Sequence, residues 1–216
     1  MKSIAVILSG CGVFDGSEIH ESVLTMLALD KNNARVSFFA PNESQSTVIN
    51  HITGKEKTGI RNQMEESSRI SRGEIAPLSS ADANKLDALI IPGGFGAAKN
   101  LCDFAVKGSE CEINKDLLSL VQLMHQQKKP LGLMCIAPVM LPKLLNKSVK
   151  LTIGNDPDTI AEIEKMGGTH IQCTVDNIVV DENNRVVTTP AYMLAQSIAE
   201  AEKGITMLVE KVLEMA

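Results

Sequence analysis

Apolar residues along this chain fall into two kinds of run. Short blocks at residues 4–8, 35–40, 86–91 and 131–134 are rich in aliphatic or aromatic side chains and stop at Ser, Pro or Cys, as buried strands do. Between them, residues 22–29, 117–126, 136–145, 160–166 and 195–213 carry apolar positions at intervals of three and four, the period of an amphipathic helix. Residues 178–180 and 185–188 read as a hairpin across Asp181, Glu182, Asn183 and Asn184. Strands alternating with helices predict an α/β domain over residues 1–216, doubly wound about a mainly parallel sheet, because parallel neighbours need crossover connections. The stretch 42–80 breaks the rhythm: it is polar, interrupted by Gly54, Gly59 and Gly73, and charged at Lys55, Glu56 and Lys57. It is too long for an ordinary connection, so a functional flap or a small excursion with short elements of its own is expected.

Composition narrows the function classes. At 216 residues and 44% hydrophobic content, the chain can bury a full core as one domain. A formal charge of -5, no Trp and one Tyr provide neither the basic footprint nor the stacking platform of a nucleic-acid binder. No apolar stretch is long enough for a spanning helix, and the N-terminal run is too short for a signal peptide. A cytoplasmic protein away from membranes is the expectation. The five cysteines, Cys11, Cys102, Cys111, Cys135 and Cys173, are odd in number and include no C-x-x-C pair. They suggest neither a disulfide framework nor a metal site, and no cofactor is indicated.

In an open parallel sheet, ligands bind beyond the carboxyl ends of the strands. Three segments end strands there: residues 9–16, 92–97 and 134–138. Cys135 stands directly between a strand and a helical stretch, a turn that exposes a nucleophile, and a positive helix end there would favour the thiolate. After the strand at 86–91, Pro92, Gly93, Gly94, Phe95 and Gly96 allow backbone N–H groups close to a ligand. Gly94 or Phe95, together with Ile136, is a candidate oxyanion hole. Glu18 and Glu21 lie one turn apart on the first helix, and either could serve as acid and base beside the sulfur, with its pKa raised by burial. Cys11 and His170 are candidates for a supporting layer. His20 shares the helical turn, His51 falls in the polar stretch and His125 in a charged one, so no Cys–His pair can be placed.

Together, Ser9-Gly-Cys-Gly-Val-Phe-Asp-Gly-Ser-Glu-Ile-His-Glu21, Ile91-Pro-Gly-Gly-Phe-Gly-Ala-Ala-Lys-Asn100, Met134-Cys-Ile-Ala-Pro138 and Thr188-Thr-Pro-Ala-Tyr-Met193 resemble the ElbB family over the whole chain. These are isoprenoid biosynthesis proteins with an amidotransferase-like domain, in the superfamily of class I glutamine amidotransferase-like proteins that includes cysteine glyoxalases and deglycases. The resemblance implies a flavodoxin-like three-layer sandwich with Cys135 as the nucleophile. Its register favours Glu21 over Glu18 as the partner, with the oxyanion role near Gly94 and Phe95. It also implies a homodimer.

Two departures limit the chemistry. Thr152-Ile-Gly-Asn155 stands where relatives carry a His after the nucleophile, and Thr188-Thr-Pro-Ala-Tyr192 replaces the late His-x-Glu of true amidotransferases, which disfavours glutaminase activity. Pro138 fits a first helical turn, whereas Pro142 should kink the helix. The resemblance therefore implies a cofactor-independent glyoxalase acting on glyoxal or a related small aldehyde to give a hydroxy acid such as glycolate, with deglycase action by the same first steps. The competing expectations are a redox sensor built on an oxidisable Cys135 and a degenerate amidotransferase partner linked to isoprenoid biosynthesis.

Overall fold

The computed structural model describes residues 1–216. In chain order, its strands are β1 (Ser3–Ile7), β2 (Arg35–Ala40), β3 (Ile49–Asn50), β4 (Lys55–Glu56), β5 (Ala76–Pro77), β6 (Ala88–Ile91), β7 (Leu131–Met134), β8 (Lys150–Leu151), β9 (Thr169–His170), β10 (Val179–Asp181) and β11 (Val186–Thr189). The helices are α1 (Ile19–Lys31), α2 (Gln63–Ser67), α3 (Phe95–Lys99), α4 (Phe104–Lys107), α5 (Lys115–Gln126), α6 (Leu141–Leu145), α7 (Pro157–Lys165) and α8 (Ile198–Met215).

Seven strands form the central sheet in the order β10-β11-β7-β6-β1-β2-β5, and every pair is parallel except the β10–β11 hairpin. Alternation along the strands sorts the two faces. Ala5, Ile7, Leu89, Ile91, Leu131 and Leu133 pack with α5 and α6, while Ile4, Val6, Leu8, Ala88 and Ile90 pack with α1 and α8. The result is the expected flavodoxin-like sandwich. Leu208 and Val212 of α8 lie against Gly132, where an added Cβ would sit 2.8 Å and 2.9 Å from their methyls, so the missing side chain lets α8 approach the sheet.

The segment 42–80 is an excursion that returns to the sheet. It forms the β3–β4 ribbon and α2, then supplies β5 at the sheet edge. It is also bonded to the loop after β1: the Ile49 N–H donates to Asp15 Oδ2 at 2.6 Å, and the Gly10 N–H to Ser67 Oγ at 2.8 Å.

The helix expected at 136–145 is broken. Residues Ala137–Met140 form a 3-10 turn, and α6 starts afresh at Leu141, with Pro142 in its first turn. A proline there removes an N–H that has no intrahelical partner anyway, so two short pieces replace one kinked helix.

Candidate active site

Four parallel strands, β1, β6, β7 and β11, bring their carboxyl ends to one edge of the sheet. Cys135 follows β7 with φ +59°, a left-handed conformation that costs a non-glycine residue about 1–2 kcal/mol. Its N–H donates to the Thr189 carbonyl at the end of β11, at 3.0 Å. That bond fixes the turn, and the side chain points back over the sheet end at 7% exposure.

Glu21 reaches the sulfur from the first turn of α1. The residue is fully buried, and its Oε2 and the Cys135 sulfur both lie within 2.9 Å of the position a Gly93 Cβ would take, close enough for each group to shift the other's pKa. Its Oε2 accepts from the Gly93 N–H at 2.8 Å and its Oε1 from the Tyr192 N–H at 3.1 Å. Burial raises the Glu21 carboxyl from 4.5 to about 7, with the nearby Glu18 charge adding to the rise and the two N–H donors opposing it. Burial also raises the Cys135 thiol, and the Glu21 charge raises it further. A dry site tolerates one negative charge more readily than two, so the pair retains one proton between them.

Glu18 takes a different place. It caps α1, its Oε2 accepting the Glu21 N–H at 2.7 Å. Of the two acids, the fold brings Glu21 to the sulfur and leaves Glu18 to hold the helix end and repel the Glu21 charge.

The glycine loop is shaped by close approach. A Cβ on Gly93 would lie 2.4 Å from Cys135 Cβ and 2.8 Å from Glu21 Oε2; on Gly94, which has φ +90°, it would lie 2.4 Å from the Gly16 carbonyl oxygen. The N–H groups of Gly94 and Ile136 both donate to the Cys135 sulfur. The Phe95 N–H does not face the site, because it donates to the Val13 carbonyl at 2.8 Å. That excludes Phe95 as the oxyanion donor in this arrangement. Its ring is 47% exposed and lies beneath the Lys99 ammonium, 5.3 Å from the ring centre.

The expected helix dipole behind Cys135 is also corrected. A four-residue 3-10 turn follows the thiol, and burial with the Glu21 charge raises Cys135 instead of lowering it. Thiolate formation therefore relies on proton exchange with Glu21.

Neither residue expected in a supporting layer is among the groups that shift the pKa of Glu21 or Cys135. Cys11 faces Glu66, Arg69, Asp15 and Arg61, and burial raises its thiol. His170 sits in the β8–β9 ribbon, its Nε2 buried without a hydrogen-bond partner and burial lowering its pKa. Sequence reasoning missed Thr189 and Tyr192, which act through a backbone carbonyl and N–H that carry no residue signature. His20 is near the same edge, its Nδ1 2.8 Å from the Tyr192 hydroxyl.

A cavity of about 340 Å³ is lined by Phe95, Ala98, Phe104, Gly108, Ile136 and Asp158 among others, and Phe95 and Ile136, the chain neighbours of Gly94 and Cys135, connect it to the edge of the site. A larger cleft of about 570 Å³ lies at the β2–β5 edge, and none of the residues around Cys135 lines it. No cluster of three His, Cys, Asp or Glu side chains suits a metal ion.

No family model matches the chain. The human "Glutamine amidotransferase-like class 1 domain-containing protein 3, mitochondrial" is 42% identical over 222 residues, covering 98% of this chain and 82% of the relative. A crystal structure of an isoprenoid biosynthesis protein with amidotransferase-like domain from Ehrlichia chaffeensis superposes with a TM-score of 0.94 at 36% identity, over 100% of this chain and 99% of that one. The chain belongs to the ElbB/ES1 family. Beyond the ElbB/ES1 proteins, glyoxalase III from Candida albicans shares the fold, with a TM-score of 0.64 at 15% identity over 99% of this chain and 97% of that one.

Membership of the ElbB/ES1 family overturns the cytoplasmic expectation. The human relative, and the rat and zebrafish relatives at 42% and 36% identity, are named mitochondrial proteins. The expectation rested on apolar run lengths, which report on membrane insertion and say nothing of compartment.

Proposed function

We propose that this chain is a cysteine-dependent glyoxalase that converts glyoxal, or a related small aldehyde, to a hydroxy acid. The observation that carries the reading is the buried Glu21 carboxyl set against the Cys135 side chain over Gly93, with its pKa raised to about 7. A base poised near neutrality can accept the thiol proton and return it within one catalytic cycle.

The chemistry follows with atoms balanced. Cys135 passes its proton to Glu21 as sulfur adds to one aldehyde carbon of glyoxal, forming a C–S bond, and the carbonyl oxygen takes a proton to give a hemithioacetal. Glu21, again a carboxylate, removes the hydrogen from that carbon as the neighbouring carbonyl oxygen takes up a proton, giving an enediol; Glu21 then returns its proton to the neighbouring carbon while the hydroxyl on the first carbon releases its own. The first carbon is thereby oxidised to a thioester and the second reduced to an alcohol, with no external redox partner. Water cleaves the C–S bond, releasing glycolate and the thiol. The N–H groups of Gly94 and Ile136, which face the sulfur in the resting site, are positioned to hold the oxygen that develops beside it. Glycated groups present the same carbonyl chemistry to the thiol.

The test is glyoxal turnover by the purified chain. Cys135→Ala should abolish it and Glu21→Gln should reduce it by at least about 100-fold, the range for loss of an acid–base group. Turnover retained in Cys135→Ala overturns the reading. A second reading uses the same donors: oxidation of Cys135 to a sulfinate held by the Gly94 and Ile136 N–H groups. Selective sulfinate formation at Cys135 without aldehyde turnover favours that reading.

A further inference from the structure

Cys102 and Cys111 take no part in the chemistry at Cys135. Cys102 follows α3, and Cys111 follows the turn after α4. An antiparallel bridge joins Cys102 to Ile113. Beside it the Asp103 N–H donates to the Glu112 carbonyl at 3.3 Å, and the Asn114 N–H to the Leu101 carbonyl at 2.8 Å. Residues two apart on one side of such a ladder share a face. Cys111, two before Ile113, therefore projects to the same side as Cys102. Both side chains are buried in one apolar cluster, at 5% and 3% exposure. Their thiols are near enough for each to shift the other's pKa, and neither is in a disulfide.

The surroundings give the two sulfurs different roles. The contact with Cys102 and the Lys143 ammonium lower the Cys111 pKa. The contact with Cys111 and burial push Cys102 up, and its Sγ also lies 3.3 Å from the Ala97 carbonyl. The Lys143 charge acts on Cys111 and not on Cys102, which assigns Cys111 as the sulfur that reacts first and Cys102 as the one that resolves it.

We propose that Cys102 and Cys111 form a redox modification site that closes a reversible disulfide when the protein meets a peroxide. The Cys111 thiolate attacks one peroxide oxygen; the O–O bond breaks, an S–O bond forms, and the peroxide's other oxygen leaves as water or an alcohol after taking a proton. Cys102 sulfur then attacks the sulfenic sulfur of Cys111. An S–S bond forms, the S–O bond breaks, and the departing hydroxide takes the Cys102 proton as water. Two thiols are oxidised by two electrons and one peroxide is reduced. The ring so closed contains Phe104, Ala105 and Gly108, three residues of the cavity that Phe95 and Ile136 also line. Oxidation would tether that wall without touching the catalytic sulfur.

Tryptic mapping of the full chain tests this, because Lys107 lies between the two cysteines. The chain is treated with hydrogen peroxide until Cys173 or Cys135 is oxidised, then alkylated and digested. The expected product is one peptide pair, residues 100–107 linked to 108–115, two hydrogen atoms lighter than the separate thiol peptides and resolved again by dithiothreitol. In Cys111→Ser the linkage should be lost and Cys102 recovered alkylated. If that variant fails to fold, the wild-type map alone decides. Separate, fully alkylated 100–107 and 108–115 peptides after such treatment would overturn the proposal, as would Cys111 sulfinate with Cys102 still free.

Discussion

Replacing Glu21 with Gln should make the protein more resistant to unfolding as the pH rises. Glu21 is buried, and its carboxyl is raised from 4.5 to about 7 in the fold. Below pH 4.5 the group is protonated in both folded and unfolded chains and takes nothing from stability. Between 4.5 and about 7 the unfolded chain releases the proton while the fold retains it, so stability falls with pH. Above the folded value the loss levels at about 3 kcal/mol. The amide introduced by Glu21→Gln does not titrate and escapes this loss. The substitution has a constant cost, because Gly93 and Tyr192 each donate an N–H to one carboxylate oxygen and the amide NH2 leaves one donor unpaired, at about 1–3 kcal/mol. The cost does not vary with pH, so the slope isolates the buried charge. Urea unfolding of both proteins from about pH 4.5 to 8 should show the Gln variant gaining about 3 kcal/mol relative to wild type across the window. A difference that stays flat would refute the placement of a strained carboxyl at Glu21.

Other outcomes follow from the same geometry. In Glu21→Gln the Cys135 thiol should titrate lower than in wild type, since the Glu21 charge helps raise it; iodoacetamide rates against pH will show the direction. Gly93→Ala puts a Cβ 2.9 Å from the Cys135 sulfur, and displacing a reacting atom by about 1 Å costs about 100-fold in turnover. Wild-type alkylation and turnover in that variant would contradict the close approach. Leu208→Ala, which empties the contact between α8 and Gly132, should cost about 2–5 kcal/mol in urea unfolding while Glu21 keeps its pH response.

How much of this could be read from residues alone depends on what each feature is made of. The strand ends, Cys135 and the choice between Glu18 and Glu21 followed from side-chain type, spacing and the register of the family resemblance, since a buried parallel sheet imposes its pattern on the chain. Three features stayed hidden for distinct reasons. Tyr192 and Thr189 hold the pair through backbone atoms. The Phe95 N–H is taken by Val13, a contact set by the path of a loop. Pro138 and Pro142 signalled disruption, yet only the packed structure shows two short turns in place of one kinked helix. β11 was legible as one arm of a hairpin, while its second, parallel pairing with β7, which carries Tyr192 to the site, depends on a partner distant in sequence.

The left-handed backbone at Cys135 sets the interests of fold and site against each other. Glycine adopts that conformation without penalty, so Cys135→Gly would relieve about 1–2 kcal/mol of strain at the turn, set against the buried contacts of the lost side chain. A screen for thermal stability alone would thus meet, at the one position that carries the thiol, a backbone that prefers no side chain. Selection that scores reactivity must hold cysteine there against that pull. An engineered variant of this chain chosen for robustness should therefore be checked first at residue 135.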